Sequence, residues 1–228
     1  MLTPVEADAL TLSLRIGFWA VLCSLPVAVA LAYVLARGRF RGRAVLAALV
    51  DLPLVLPPVV TGYALLLLFG RHGPIGEWLD SWFGIVVAFR WTGAAIAAAV
   101  MGLPLMVRAI RLSLEAVDPG LEQAAAGLGA PRWAVFATIT LPLALPGLLA
   151  GCLLGFAKSL GEFGATITFV SNIPGETQTL PIAIYSLLQV PNSDAAVLRL
   201  ALLSAAVSLV GVLAAELIAG RLKRRTAG

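Results

Sequence analysis

The chain has 228 residues, 60% hydrophobic and 12% charged, with a mean hydropathy of +0.98. Soluble domains average about 45–50% apolar and about 25% charged residues, so this composition excludes a disordered chain, a collagen and an ordinary soluble enzyme. What remains is an all-α, polytopic membrane bundle in a single domain. The net charge is +4, from 16 Lys and Arg against 12 Asp and Glu. That excess is too small, and too clustered at segment ends, to suggest a nucleic-acid partner.

About 20 apolar residues, at about 1.5 Å each, cross the hydrocarbon core of a bilayer. Five runs meet that need: 10–36, 44–70, 91–110, 141–160 and 195–220. Glu6 and Asp8 stand ahead of the first run in place of a basic leader, and the run exceeds a signal core, so it reads as a retained span. Pro26 interrupts it; Pro53, Pro57, Pro58, Thr61 and Gly62 break the second. Prolines bend a membrane helix without disqualifying it, because neighbours satisfy the freed backbone groups. Asp51, at the inner start of the second run, reads as a helix cap in preference to a partner of Arg43. Residues 76–89, with Trp78, Trp82 and Phe83 beside Glu77 and Asp80, read as an outer interfacial helix, and Arg90 and Trp91 anchor the third run. In 161–194, apolar stretches at 165–170 and 180–190 flank the turn signal Ser171-Asn172-Ile173-Pro174-Gly175. This segment reads as a helix extension plus an interfacial or re-entrant piece. Arg15 and Arg199, one to two turns inside the outer boundaries, are expected to snorkel.

Orientation follows from the basic residues. Arg37, Arg39, Arg41 and Arg43 follow the first run; Arg108, Arg111 and Arg132 flank the connection between third and fourth; Arg221, Lys223, Arg224 and Arg225 follow the fifth. Even numbers of crossings separate these clusters, so the positive-inside rule puts all three in the cytoplasm and the N-terminus outside. A sixth crossing within 161–194 would export the last cluster.

The connection 113–140 is the long polar one. Asp118-Pro119 is a helix start, since Asp118 accepts from free N–H groups and Pro119 lacks one. Glu122 to Ala126 are strong helix formers; Gly127 and Gly129 end the helix and Pro131 starts another. Two short helices with a Gly turn are expected, with small residues at Ala124, Ala125 and Gly129 open to close approach. Such a pair suits docking of a soluble partner, and suits equally a linker packed on its own bundle.

Gln123-Ala124-Ala125, Gly129 and Ile139-Thr140-Leu141-Pro142 resemble the EAA signature of ABC importer permeases: E-A-A, three residues, G, nine residues, I-x-L-P. Both spacings match; Gln123 replaces the usual Glu, and Glu122 lies one position earlier. The resemblance implies a coupling helix that fits a groove on a cytoplasmic ATPase, a role carried onto Glu122, Gln123, Ala124, Ala125, Gly129 and Pro142. Further blocks, Asp51 to Pro58, Gly73 to Gly76, Gly161 to Thr166 and Asn172 to Thr177, resemble the molybdate permeases of bacterial importers, with sulfate and tungstate permeases as near relatives. The resemblance implies a type I importer permease in the bacterial inner membrane that works as a homodimer with two ATPase subunits and an external oxyanion-binding protein. The resemblance includes members with an extra N-terminal helix; with so few residues ahead of Leu10, none is expected here.

No G-x-x-x-x-G-K-[ST] occurs, so no P-loop binds ATP, and no catalytic triad, metal-ligand cluster or cofactor motif is visible. Cys23 and Cys152 sit isolated in apolar runs as small fillers, and His72 is a loop residue. A non-catalytic permease is expected. Its path should lie where helices are irregular and polar groups reach membrane depth: Pro57, Pro58, Thr61, Gly62, Ser159, Glu162 and Thr166. Lys158 and Glu162, four apart, can pair along one helix face. A doubly charged oxyanion suits hydroxyl and backbone N–H donors better than carboxylates. Two other classes compete. An ion-coupled secondary transporter needs mid-membrane carboxylates and inverted repeats. An intramembrane enzyme needs paired catalytic groups, and only Lys158 and Glu162 come near.

Overall fold

A computed structural model describes residues 3–226, and every regular element in that range is a helix. Helix α1 (Pro4–Arg37) begins six residues ahead of the expected Leu10, because the polar residues ahead of the apolar run, Glu6 in the first turn among them, are helical too. Thr3 caps it in a reciprocal box: the Glu6 N–H donates to Thr3 Oγ1, and the Thr3 N–H donates to Glu6 Oε2 at 2.7 Å. Glu6 is buried and takes both Nε (3.1 Å) and Nη2 of Arg199, which joins the start of α1 to the start of α11 (Asp194–Thr226). Neither outer arginine snorkels alone: Arg15 lies over the Trp91 ring, 3.9 Å from its centroid. Glu6→Gln is expected to cost about 1.5–3 kcal/mol, the range for a hydrogen bond to a charged group. The thermal midpoint in detergent should fall accordingly, while Asp8→Asn, at an exposed position, leaves it unchanged.

The second run is not one traversing helix. Helices α2 (Arg43–Val55) and α3 (Pro58–Phe69) meet at 109°. Neither Pro57 nor Pro58 has an N–H, and each drives its predecessor out of the helical region, leaving Leu56 at φ −68°, ψ 145° and Pro57 at φ −54°, ψ 132°. Pro53, inside α2, stops nothing. Asp51 lies mid-helix and is no cap; its carboxylate accepts from Arg108 at 2.9–3.0 Å. Four helices among the described residues can cross a bilayer by length and composition, and the bent pair supplies a fifth span when counted as one.

Helix α4 (Pro74–Phe83) carries exposed Trp78, Trp82 and Phe83, as an interfacial helix should, but Gly84 at φ 63° ends it short of residue 89. Helix α5 (Trp91–Glu115) runs five residues past 110 and forms the centre of the bundle. Against it packs α8 (Leu141–Leu160), through small residues at every fourth position: Gly147, Gly151 and Gly155 are all buried. A Cβ at Gly147 would sit 2.1 Å from Ser113 Cβ, and one at Gly155 2.7 Å from Met106 Sδ. Bare backbone at these positions is what lets two membrane helices approach. Ser159, next in the stripe, meets α1 at Gly17.

Residues 161–194 form no sixth crossing. Helices α9 (Gly164–Val170) and α10 (Leu180–Leu187) have only seven and eight residues. The start of α10 is pinned to α1 by the Leu180 N–H donating to buried Ser13 Oγ at 2.8 Å, and Asn172 braces the intervening loop through Ser186 and Gln178. The apolar part of α11, Asp194–Leu213, is 6% buried and lies at the bundle's edge. The side chains of Arg221, Lys223, Arg224 and Arg225 lie outside the described residues. Cys23 is exposed and Cys152 half-buried, and both are free thiols.

Candidate functional site

The ends of α1 and α5 and the start of α2 gather at one end of the bundle, where the first two basic clusters meet acidic partners. Arg43 and Arg111 share Glu115, at 3.4 and 2.8 Å. Past α5 the chain turns at Ala116 and Val117 into α6 (Pro119–Gly127), whose cap Asp118 accepts from the Gly120 N–H at 2.8 Å. No residue of α6 is buried. It is a short rod with most of its surface exposed, touching the bundle along one side through Glu122. Leu128 is 90% exposed and Trp133 74%, with Leu121 also exposed. Large apolar side chains at the tip of a polar connection form a surface that water does not favour and a partner can cover.

The rod ends in a hydrogen-bonded C-cap, with the Ala130 N–H on the Ala125 carbonyl and the Gly129 N–H on that of Ala126. Gly129 has φ +89°, and no atom lies within 4 Å of a Cβ built there. Glycine is required here by the left-handed turn, not by close approach of a neighbour within the chain. The second expected short helix is not separate. Helix α7 (Arg132–Val135) runs through one π turn, Phe136–Thr140, into α8, giving 29 continuous residues. Pro142 explains the π turn: it cannot donate and its ring crowds the carbonyl four residues back, so the ladder widens, with the Leu141 N–H reaching Phe136 O.

Of the motif residues, Gln123 and Ala124 are exposed, Ala125 half-buried and Pro142 exposed at the start of α8. Glu122 turns inward. Its Oε1 accepts from Arg37 Nη2 at 3.1 Å and from Thr140 Oγ1 at 2.7 Å. A cavity of about 230 Å³ beside it is lined by Tyr33, Gln123, Arg132, Phe136 and Thr140. Sequence reasoning missed Arg37 and Thr140: Arg37 read only as an orientation charge, and Thr140 occupied the free position of I-x-L-P.

The path candidates fall into two groups. Pro57 and Pro58 are exposed at the bend, while Thr61 is buried in α3 and Gly62 is buried where α3 meets α9, opposite Ala165 and Thr168. Thr166 is buried in α9, and Glu162, just ahead of it, is 2% exposed, accepting from the Ala165 N–H at 3.0 Å and from Lys158. The helix-face pair of Lys158 and Glu162 is thus formed. Thr61 Oγ1 is buried without a hydrogen-bond partner. Ser159 lies apart, donating to the Phe156 carbonyl at 2.7 Å and facing α1.

A bundle of apolar helices with one bent span and an exposed apolar-tipped rod is that of a polytopic membrane protein. Residues 24–224 match the family described as the binding-protein-dependent transport system inner membrane component, and the chain belongs to that family. It is 57% identical over 228 residues to the molybdenum transport system permease protein ModB of Escherichia coli K12, covering 100% of this chain and 99% of that protein. Its identity to ModB of Haemophilus influenzae is 53% over 221 residues, covering 97% and 96%. The sulfate transport system permease protein CysT of E. coli is more distant, at 40% over 198 residues, covering 87% and 71%. Among solved structures, a bacterial ABC transporter involved in import of the polysaccharide alginate superposes with a TM-score of 0.75, 20% identity and coverage of 96% of this chain and 80% of that one. The MetNI methionine ABC transporter in an inward-facing form gives 0.69 at 18% identity, covering 95% and 94%. These likenesses establish the type I importer permease fold.

Proposed function

We propose that this chain is the permease subunit of an ATP-driven molybdate importer in the bacterial inner membrane. Two copies enclose the path, two cytoplasmic ATPase subunits supply the force, and an external oxyanion-binding protein delivers the ion. Identity of 57% across the whole length of a molybdenum permease is the observation that carries the substrate class, against 40% for the sulfate permease. The exposed α6 rod supports the ATPase: with no P-loop in the sequence, energy must enter from outside, and α6 is the element free to be gripped. ATP binding draws the two ATPases together, carries the docked rods with them and turns the path outward; hydrolysis resets it. Each step requires a partner that binds one state better than the other.

The path runs past the bend, where Pro57 and Pro58 lie open to a second copy, with Thr61, Gly62 and Thr166 behind them. The exposure of Pro57 and Pro58 at the bend supports this placement, with buried Thr61, Gly62 and Thr166 shaping the wall behind them. Ser159 and Glu162 have their polar atoms committed within the chain and serve as the wall.

Reconstitution tests the reading. Proteoliposomes holding the permease, its ATPase and the binding protein should accumulate molybdate only with ATP, with tungstate competing and sulfate competing less. Uphill uptake by the permease alone would identify a secondary transporter and overturn the proposal.

A further inference from the structure

Arg37 is the last residue of α1, and its guanidinium reaches two elements at once. Nη2 donates to the Val117 carbonyl, just past α5, and to Glu122 Oε1 in α6, each at 3.1 Å. The same carboxylate oxygen accepts the hydroxyl of Thr140, the last residue of the π turn that opens into α8. Thr140 is 1% exposed, and the side chains of Arg37 and Glu122 are 20% and 21% exposed, so the linkage is largely withdrawn from water. Among the described residues, no other side chain of α6 hydrogen-bonds to a different helix. Helix α6 buries nothing of its own, so this linkage is its one polar attachment to α1 and α8.

The pair is also incomplete. Arginine commonly grips a carboxylate with two parallel N–H bonds. Here one oxygen takes one Nη, and Arg37 Nε is buried with no acceptor. That N–H is thus a donor still free to take a carboxylate oxygen. Coupling between rigid helices is carried by packed side chains and hydrogen-bonded networks that join them, and this linkage joins α6 to both α1 and α8.

We propose that Arg37, Glu122 and Thr140 form the positioning device that converts displacement of α6 into movement of α1 and α8. Glu122 thereby fills, from one position upstream, the place left by Gln123 in the motif. The inference rests on the reading of α6 as the ATPase-coupling element, and the test separates the two.

In proteoliposomes with ATPase and binding protein, the readout is molybdate imported per ATP hydrolysed. Arg37→Gln and Thr140→Val should assemble with the ATPase and hydrolyse ATP, but the transport ratio should fall about fivefold or more, the lower end of typical coupling between sites. Arg37→Lys should restore part of it. A merely structural role would lower assembly, hydrolysis and transport together and leave the ratio alone. A wild-type ratio in both assembled variants overturns the proposal. Should Arg37→Gln fail to insert, Thr140→Val, which swaps a hydroxyl for a methyl, decides alone. The coupling reading is tested separately by ATPase assembly of Leu128→Asp, which leaves the linkage intact: normal assembly there sinks the reading of α6 itself.

Discussion

Leu128→Asp is expected to give a permease that inserts and folds as the parent does, yet neither retains its ATPase on purification nor stimulates hydrolysis. Leu128 is 90% exposed, so its replacement touches no packing inside the chain. Surface substitutions of that kind usually move stability by no more than about 0.5 kcal/mol. The same side chain at the centre of a partner's groove acts as an anchor. Loss of such an anchor typically costs about 2 kcal/mol or more, which is about thirtyfold in affinity, and a carboxylate in its place adds a desolvation penalty. Two measurements check this: the thermal midpoint of the permease alone, expected unchanged, and ATPase stimulation at fixed subunit concentrations, expected to fall at least tenfold. Normal stimulation would mean that α6 is not the gripped element. Replacing Trp133, 74% exposed, should act in the same direction.

That Leu128 forms the tip was only partly legible in the sequence. The motif spacing located the rod, and Asp118-Pro119 located its start, because capping and proline chemistry are local. Which side chains the rod turns outward depends on where the bundle lies, and that is a long-range fact. Glu122 shows the limit. Its partners lie 85 residues upstream and 18 downstream, and no local pattern marks either. Glu6 and Arg199, 193 residues apart, met for the same reason without a signal. The spans are the opposite case. Hydropathy over about 20 residues is a property of the run itself, so α1, α5, α8 and α11 all lie where apolar composition put them, with ends displaced by the polar residues of their terminal turns. A polar first turn, such as that of α1, looks like loop until its cap is seen.

The bend between α2 and α3 lies between these cases. Two consecutive prolines announce a break, since backbone donors are missing and the preceding residues are forced extended. The angle of 109° comes from elsewhere: α3 is held by α9, and that contact depends on a glycine. The stripe Gly147, Gly151, Gly155 was likewise written in plain view at a helical repeat. Its meaning required knowing that α5 lies against it.

Gly62→Ala is therefore expected to be among the most damaging single-methyl changes in the chain. A Cβ at this position would lie 2.4 Å from the Ala165 carbonyl oxygen, 2.8 Å from Ala165 Cα and 2.9 Å from Thr168 Cβ. The first two are backbone atoms, so no rotamer change relieves the overlap. Helix α3 has to back away from α9, and because α3 has only 12 residues and hangs from a bend, the shift propagates to Pro57 and Pro58. Overpacking of this kind costs about 1–3 kcal/mol, at about 2–4 °C in thermal midpoint per kcal/mol for a chain of this length. Gly211→Ala serves as the control, since nothing lies within 4 Å of a Cβ there and the added methyl meets open space. The informative comparison is between stability and uptake. A fall in both, with Gly211→Ala unaffected, assigns Gly62 to the α3–α9 contact that holds the bend open. A full loss of molybdate uptake with an unchanged midpoint would instead mean that α3 yields easily and that the methyl obstructs the path itself. The difference arises because a packed interface resists displacement with energy, whereas a path wall resists only the passing ion.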